Sequence, residues 1–383
     1  MNTADRSKDP TRLAQLACCA DDLLPHDAAG PTESLVRTGE LLAHPSQADT
    51  VHTRLGSKVD TVTEALSGLA VRIRLRPEWH PRTVELAAEL GPLAQPNHVH
   101  TGCPTMTGAP IEFGTGATPR PAESPPAPPF EVWNPPVTVA LLDTGLDPHP
   151  WFAGRPWLSE WGLSPEALHP GAPPILDRQA GHGTFVAGVL LRHAPGVTIR
   201  HHRTLSSAGL TDDLIVAAAL DRVRRIAESR RERLDIVVLT AGCYTPDNQC
   251  PPLLRRALDR LGDTIVVASA GNDGADRPFW PAALPDVLAV AATNDRGQLA
   301  RWSNRGDWVD LAAPGVDVVS SFVRAAVDDF DVAPETVTRE YGAATWSGTS
   351  FAAPHAAAAL ARLLRRGCDP VEARERIINS FEG

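Results

Sequence analysis

The sequence contains almost no lysine and no long apolar run. Only Lys8 and Lys58 are lysines among 36 basic residues, and 46 acidic residues leave a formal net charge of −10. That balance offers no basic footprint for nucleic acid or for an anionic membrane surface. Because no stretch of about 18 apolar residues occurs, no transmembrane helix is expected. The 383 residues can still bury a large core, in one large or two smaller domains.

The first residues also lack the marks of a secretory signal. Residues 1–24 are polar and carry charges of both signs, without an apolar central region or a small-residue cleavage site. We therefore expect a cytoplasmic protein, with secretion by a non-standard route left open. The six cysteines fit this expectation as free thiols, although Cys243 and Cys250 could close a loop in an oxidising compartment.

A proline-rich stretch divides the chain. Residues 119–136 contain eight prolines, too many for a helix or a central strand, and predict an extended, semi-rigid linker. Residues 1–118 then form an N-terminal module with weak helical character at residues 21–43. Within that module, strands are predicted at residues 70–75 and 97–100 and a helix at residues 81–90.

Residues 137–383 alternate between short apolar runs and helical patterns, which predicts an α/β domain. We expect a doubly wound, mostly parallel sheet with helices on both faces. Strands are predicted at residues 137–142, 197–201, 234–239, 265–268 and 287–291, and helices at residues 211–230, 252–261, 349–366 and 369–379.

A serine lies where a glycine–threonine turn meets an alanine-rich run. Residues 352–366 predict a buried helix, and Ser350 stands at its expected N-terminus. Unpaired N–H groups and the helix dipole favour developing negative charge at that position. The hydroxyl could therefore cap the helix or act as a nucleophile, and its position alone does not decide between the two.

Three further polar residues adjoin apolar runs. Asp143 ends a strand that is predicted to be buried on both faces, where open α/β sheets place their ligand crevices. His182 stands between two glycines, just before an apolar stretch that predicts a helix. Asn272 follows another buried strand and could supply an N–H to an oxyanion. Taken singly, each residue also fits a turn, a cap or a purely structural position.

Together, in the order Asp, His, Asn, Ser, these blocks resemble the subtilisin-like serine peptidases, or subtilases. The resemblance runs from about Val137 to the C-terminus. Its motifs are Asp143-Thr144-Gly145, Gly181-His182-Gly183-Thr184, Ala270-Gly271-Asn272 and Gly348-Thr349-Ser350-Phe351-Ala352-Ala353-Pro354-His355.

The resemblance implies roles for four residues. Ser350 would attack the scissile carbonyl after passing its proton to His182, and Asp143 would orient and stabilise the imidazole. Asn272 and the Ser350 amide would receive the oxyanion. The N-terminal module would occupy the place of a subtilase propeptide, although a permanent accessory domain fits the same position.

The resemblance also implies where a peptide substrate binds. In the family, the substrate backbone adds as a strand between two edge segments, beside a pocket for one side chain. Phe279 and Trp280 indicate a pocket for small or medium side chains, whereas Asp273 indicates basic ones, so specificity stays open. The edges would be Ser207, Ala208 and Gly209 on one side and Thr240, Ala241 and Gly242 on the other, with Ala268 and Gly271 in the pocket wall.

We predict no metal and no cofactor. The calcium-binding loop that interrupts the histidine helix in many subtilases has no counterpart between His182 and residues 197–199. The acidic residues at positions 328, 329 and 331 are interpreted as a solvated loop. His193, His201 and His202 lack a ligand spacing typical of zinc and are expected at the surface.

The leading functional hypothesis is a serine endopeptidase acting on a peptide or protein, with one dedicated peptide as a candidate substrate. Transpeptidation or peptide cyclisation would use the same acyl-enzyme, and a non-catalytic scaffold is a third hypothesis. Neither a nucleic acid nor a membrane is an expected partner, and the oligomeric state is left open.

Overall fold

The N-terminal module is an antiparallel sheet with two helices packed on it. The computed structural model describes residues 13, 16, 21–102, 119–160, 164–168, 179–325 and 338–381. Apolar residues of both helices, such as Val51 and Leu86, pack with Leu41 and Ile73 of the sheet. The elements are β1 (Leu23–His26), β2 (Ser34–Ala43), α1 (Ala48–Leu55), β3 (Val59–Leu66), β4 (Ala70–Leu75), α2 (Thr83–Leu90) and β5 (Ala94–Gly102).

The helical character predicted for residues 21–43 is wrong, because this segment forms β1 and β2. Strand β2 lies between β4 and β5 and pairs with both, so its backbone groups bond across the sheet. Its register with β5 shifts between Val36 and Leu41, and Gly39 within that interval has φ +69°. Cross-strand pairing on both sides therefore overrides the leucine-rich local pattern.

The second part of the chain is built on a six-stranded sheet. The helices and strands of this part of the chain are β6 (Arg120–Ala122), β7 (Thr138–Asp143), α3 (Pro156–Glu160), α4 (His182–His193), β8 (Thr198–Arg203), β9 (Leu210–Asp212), α5 (Asp213–Arg230), β10 (Ile236–Leu239), β11 (Ala241–Gly242), α6 (Pro252–Asp259), β12 (Ile265–Ser269), β13 (Val287–Thr293), β14 (Leu311–Pro314), β15 (Val318–Ala325), β16 (Arg339–Trp346), α7 (Thr349–Arg365) and α8 (Pro370–Phe381). The strand order in the six-stranded sheet is β14-β13-β12-β10-β7-β8, and every neighbouring pair is parallel.

Helices cover both faces of this parallel sheet, which confirms the predicted α/β architecture. Val139 and Leu141 of β7 face a core shared with α4 and α7, whereas Ala140 and Leu142 face a core shared with α5 and α6. Alternate side chains of one strand thus enter two different cores, as the continuous apolar runs predict. The predicted strands and helices of this domain all occur, with ends displaced by at most two residues.

Residues 119–136 form no helix, and part of this proline-rich stretch is built into the fold. Strand β6 pairs with β16 as the edge of a three-stranded antiparallel sheet, with Pro121 opposite Ala344. Further along, the Trp133 amide donates to the Gly196 carbonyl. The predicted semi-rigid linker thus also contributes an edge strand, where a proline is tolerated.

Among the described residues, no helix combines the length and the apolar character needed to cross a membrane.

Trp346 is expected to contribute strongly to the stability of the core that it shares with α4 and α7. Its side chain is fully buried and makes aromatic contacts with Phe185, Phe322 and Phe351. Trp346→Ala should lower the free energy of unfolding by about 3–5 kcal/mol because it leaves a large cavity. The exposed Val371→Ala should change it by less than about 0.5 kcal/mol. Urea unfolding midpoints measure both, and equal effects would contradict this packing.

Candidate active site

The carboxylate of Asp143 lies at the carboxyl end of β7 and is fully buried. Its Oδ1 lies 2.6 Å from His182 Nδ1 and accepts a hydrogen bond of 2.7 Å from the Thr144 amide. Its Oδ2 accepts one of 2.6 Å from the Thr240 hydroxyl. Burial by itself raises the pKa of Asp143, but the His182 imidazole and these hydrogen bonds outweigh burial and hold the pKa below its ordinary value.

His182 is the first residue of α4, and the glycines around it allow a close approach of backbone. Gly181 has φ +85°, a left-handed conformation in which a side chain would also strike Phe322. A Cβ at Gly183 would come within 2.4 Å of the Gly145 carbonyl, so α4 can lie against the turn after β7 only with glycine there. The glycines therefore fix the helix start beside Asp143.

Only one of the two ring nitrogens of His182 has a hydrogen-bonding partner in the part of the chain that the structure describes. While Nδ1 contacts Asp143, Nε2 has no hydrogen-bond partner among the described residues. Trp346 meets the ring edge-on at 5.5 Å between centroids, and Phe351 lies at 5.2 Å. The ring orientation is thus set by one carboxylate and two aromatic side chains, which leaves Nε2 available for proton transfer.

Ser350 is the second residue of α7 and does not cap that helix. The N-cap is Gly348, which makes no side-chain capping bond. The Ser350 hydroxyl instead donates to the Thr240 carbonyl at 3.2 Å, and its side chain is inaccessible to solvent. A serine that caps a helix bonds an amide two or three residues further on, so the geometry disfavours the capping interpretation.

Asn272 lies beside Ser350 with a defined amide orientation. Its Oδ1 accepts hydrogen bonds from the amide and the hydroxyl of Thr349, at 3.1 and 2.9 Å. Because the carbonyl end of the side chain is occupied in this way, the NH₂ end projects away from Thr349. The structure thus brings together Asp143, His182, Asn272 and Ser350, the four residues singled out in the sequence.

Asn304 organises the loop that carries Asn272, a role not recognised in the sequence. Its Nδ2 donates to the Ala270 carbonyl and to the Tyr244 hydroxyl, both at 2.8 Å, and its Oδ1 accepts from the amides of Asp273 and Ala275 at 3.0 Å. The side chain is fully buried. The one signal for it in the sequence is the segment Trp-Ser-Asn-Arg-Gly at residues 302–306.

The two predicted substrate edges flank strand β5 of the N-terminal module. Ala241 and Gly242 of β11 pair antiparallel with the end of β5, so that Gly242 lies opposite Thr101. On the other side, β9 pairs antiparallel with β5 directly after residues 207–209, and the Gly102 amide donates to the Gly209 carbonyl at 2.8 Å. Strand β5 therefore occupies the position between the edges that the sequence analysis assigned to a peptide substrate.

The predicted pocket residues lie in different surroundings. Phe279 is buried between two glycines: a Cβ at Gly242 would come within 2.5 Å of its ring, and one at Gly271 within 3.2 Å. Ala268, by contrast, places its methyl in the core shared with α5 and α6. Asp273 is exposed and accepts a hydrogen bond from the Tyr244 hydroxyl at 3.1 Å.

Other predicted positions also receive a place. His201, expected at the surface, is buried and contacts the Thr144 carbonyl at 2.7 Å; burial lowers its pKa to about 4. Cys243 and Cys250 are free thiols. The acidic residues near position 329 lie outside the described residues.

Glu166 is a second buried carboxyl group behind the site. Its Oε2 accepts a hydrogen bond of 2.7 Å from the Thr144 hydroxyl, which itself accepts one from the Gly183 amide at 2.9 Å. Burial raises the pKa of Glu166 to about 7, against the hydrogen bond from Thr144. This carboxyl group links the turn after β7 to the start of α4.

The geometry defines an α/β protein with Asp, His and Ser side chains gathered at the carboxyl edge of a parallel sheet. A model of the subtilase family matches residues 135–382, so the chain belongs to the subtilase family of serine peptidases, as the resemblance predicted.

Two curated relatives agree with this assignment, and a solved structure shares the fold. The chain is similar to the minor extracellular protease Epr of Bacillus subtilis (29% identical over 246 residues, 62% of this chain and 33% of the relative). It is also similar to a thermophilic serine proteinase of Bacillus sp. strain AK1 (31% over 253 residues, 62% and 55%). Fervidolysin of Fervidobacterium pennivorans, a keratinolytic enzyme related to subtilisin, shares the fold with a TM-score of 0.56 at 20% identity, over 89% of this chain and 57% of that one. The chain thus spans only a third to about half of the length of these two curated relatives.

Glu166→Gln should remove a pH dependence of stability. Because the folded state raises the pKa of Glu166 from 4.5 to about 7, this group stabilises the fold fully below pH 4.5 and loses that contribution as the pH rises through 7. The shift corresponds to about 3 kcal/mol. The difference in free energy of unfolding between variant and wild type should therefore change by about 2–3 kcal/mol between pH 5 and pH 8. A pH-independent difference would contradict a neutral Glu166.

Thr240→Val should weaken catalysis without unfolding the protein. The valine removes the hydroxyl that donates to Asp143 and leaves the Thr240 carbonyl in place. Loss of a buried hydrogen bond to a charged group costs about 1.5–3 kcal/mol, so kcat should fall by at least about tenfold. Thr240→Ser keeps the hydroxyl and should retain most of the activity. Equal losses in both variants would exclude the hydroxyl as the cause.

Proposed function

We propose that the chain is a serine endopeptidase that hydrolyses peptide bonds through an acyl-enzyme. The observation that carries the proposal is the 2.6 Å contact of Asp143 with His182, joined to Ser350 through Thr240, whose hydroxyl donates to Asp143 and whose carbonyl accepts from the Ser350 hydroxyl. The chemistry requires a nucleophile, a base and an orienting carboxylate within reach of one another. The family to which the chain belongs supports the same activity.

In the proposed mechanism, the Ser350 Oγ forms a bond to the scissile carbonyl carbon while its proton passes to His182 Nε2. The carbonyl electron pair moves onto oxygen, where Asn272 Nδ2 and the Ser350 amide stabilise the negative charge. Collapse of this intermediate breaks the C–N bond, and His182 gives the proton to the leaving amine. Water then attacks the ester in the same way, with His182 as its base, and the ester bond breaks to release the acid and Ser350.

Ser350 must turn before it can react. Its hydroxyl now donates to the Thr240 carbonyl, whereas the proton acceptor of the mechanism is His182 Nε2. The mechanism therefore requires a staggered rotamer of Ser350 in which the hydroxyl faces His182 instead of the Thr240 carbonyl. Catalytic hydrogen bonds often tighten only in the complex with substrate, so this geometry is compatible with the proposed role.

We further infer that the N-terminal module holds the peptidase in a closed state. Strand β5 bonds to both edges of the cleft, and Asp143, His182 and Ser350 are all inaccessible to solvent. A peptide that binds by strand addition would compete with β5 for the same backbone groups. This supports the propeptide-like interpretation over that of a remote accessory domain, and it makes release of β5 a condition for activity.

The pocket supports a preference for small side chains at the cleaved bond. Phe279 fills the space between Gly242 and Gly271, and Asp273 is already engaged by Tyr244. The substrate is therefore a peptide or protein with small residues before the scissile bond. No observation favours transpeptidation or cyclisation over hydrolysis.

Substitution of the nucleophile and of the oxyanion donor should separate their roles. Ser350→Ala should abolish hydrolysis of an unfolded protein substrate, since no acyl-enzyme can form. Asn272→Leu should lower kcat by on the order of 10²–10³ with little change in KM, a size known for the equivalent change in subtilisin, a member of the same family. Initial rates over a range of substrate concentrations measure both. Undiminished hydrolysis by Ser350→Ala would refute the proposal.

Gly102→Val should open the cleft. The added Cβ would come within 2.0 Å of the end of the Gln179 side chain, which is buried and also lies against Gly209. This side chain therefore has little room to move aside, and overpacking of this kind costs about 1–3 kcal/mol. The initial rate of peptide hydrolysis should rise about five- to 150-fold if β5 blocks the cleft.

Two control variants make this test specific. Gly342→Val adds the same atoms where no atom lies within 4 Å of the new Cβ, and it should leave the rate unchanged. Adding Gln179→Ala to Gly102→Val removes the clash and should restore the slow rate. An unchanged rate in Gly102→Val would argue against inhibition by β5.

A further inference from the structure

Three side chains with metal-binding atoms meet where β5 enters the peptidase domain. They are His100 of β5, Asp213 at the start of α5 and Cys243 just after β11. One ligand atom from each lies within 4.8 Å of the other two. All three residues are buried, with 0–2% of their surface exposed. Among the described residues, this is the one such group of histidine, cysteine and acidic side chains.

The chemistry of the three donors points to a particular class of ion. A thiolate, an imidazole and a carboxylate suit Zn²⁺ and its borderline neighbours, whereas Ca²⁺ and Mg²⁺ prefer oxygen donors alone. Three protein ligands leave a fourth tetrahedral position for water. The residues lie far apart in the sequence, so no spacing motif could have revealed them.

His100 and Asp213 meet through the two atoms that would coordinate the ion. His100 Nε2 lies 2.7 Å from Asp213 Oδ1, and the His100 side chain is only 1% exposed. An ion that binds both atoms takes the place of the proton between them. The neutral ring then carries its proton on Nδ1, which has no hydrogen-bond partner among the described residues.

The carboxylate of Asp213 is oriented by groups that do not belong to the trio. Its Oδ2 accepts hydrogen bonds from the His98 amide at 3.0 Å and from Gln95 Nε2 at 2.8 Å, and it contacts His98 Nδ1 at 2.7 Å. Such outer contacts are typical around metal ligands, where they fix the direction of the donor atoms. They leave Oδ1, on the side of His100, as the coordinating oxygen.

We propose that His100, Asp213 and Cys243 bind one divalent cation of the zinc class, which ties β5 to the peptidase domain. Binding replaces the proton of the Cys243 thiol, which passes to solvent as the sulfur–metal bond forms. One ligand comes from the strand in the cleft, and the other two come from elements on either side of it. The ion therefore strengthens the closed state; this consequence, unlike ion binding itself, rests on the proposed function.

The binding test uses the full chain carrying Ser350→Ala, so that no self-cleavage occurs. After removal of metal with a chelator, the protein is dialysed against ZnCl₂ and its metal content is measured by mass spectrometry. We expect one tightly held zinc per chain. Loading with CoCl₂ should give the visible absorption of a tetrahedral site and a thiolate-to-cobalt charge-transfer band. No stoichiometric ion, or a cobalt spectrum without the thiolate band, would overturn the proposal.

Variants locate the ion within the chain. Cys243→Ser and His100→Gln should each lose the zinc, whereas Cys368→Ser, which changes a free thiol outside the trio, should retain it. Retention of the ion and of the charge-transfer band in Cys243→Ser would overturn the assignment. If a variant fails to fold by circular dichroism, the cobalt spectrum of the parent chain decides.

A separate measurement tests the consequence for the cleft. In the chain with an intact Ser350, the chelator should shorten the delay before peptide hydrolysis begins, and added zinc should restore it. In Cys243→Ser the chelator should have no effect. A chain that binds zinc but shows the same delay with and without it would refute the ion's control of the cleft. A chain that never hydrolyses peptides would instead count against the proposed function.

Discussion

The hydrogen-bonded carboxylate of Asp143 is the interaction on which the rest of the site depends. A buried, unpaired charge is costly, so the fold must supply donors to it. They come from three places: the turn after β7, the first residue of α4 and the connection between β10 and β11. Once Thr240 donates its hydroxyl to Asp143, its carbonyl faces Ser350. One buried charge thereby fixes the base, the nucleophile and one edge of the cleft relative to each other.

The same edge explains why this site is closed. A cleft that binds peptides as added strands exposes unpaired backbone groups, and any strand of the right register can satisfy them. Strand β5 does so on both sides, and it thereby joins β9 and β11 to the same sheet as β2, β3 and β4 of the N-terminal module. At this point His100 of β5 and the neighbouring Asp213 of the peptidase domain are fully buried. Closure thus involves both backbone pairing and a polar cluster between the N-terminal module and the peptidase domain.

The sequence predicts the parallel sheet well because its strands are continuous apolar runs and its motifs adjoin their ends. It predicts Asp143, His182, Asn272 and Ser350 through their order along the chain. Contacts between distant segments cannot be predicted in this way, because they depend on tertiary packing. Examples are the Thr240–Asp143 hydrogen bond, the bonds of Asn304 to the loop that carries Asn272, and the place of β5 between β9 and β11. The helical pattern of residues 21–43 fails for the same reason: the segment forms strands, because pairing of β2 with β4 and β5 overrides local propensity.

The most direct test of the account is the site and rate of adduct formation with a fluorophosphonate, followed by peptide mapping. The account predicts one adduct, on Ser350, which forms slowly in the wild-type chain and faster in the Gly102→Val chain. It predicts almost none in a Gly102→Val chain that also carries His182→Ala. An adduct on another residue, or equal rates with and without His182, would contradict the claim that the buried Asp143–His182 pair activates Ser350.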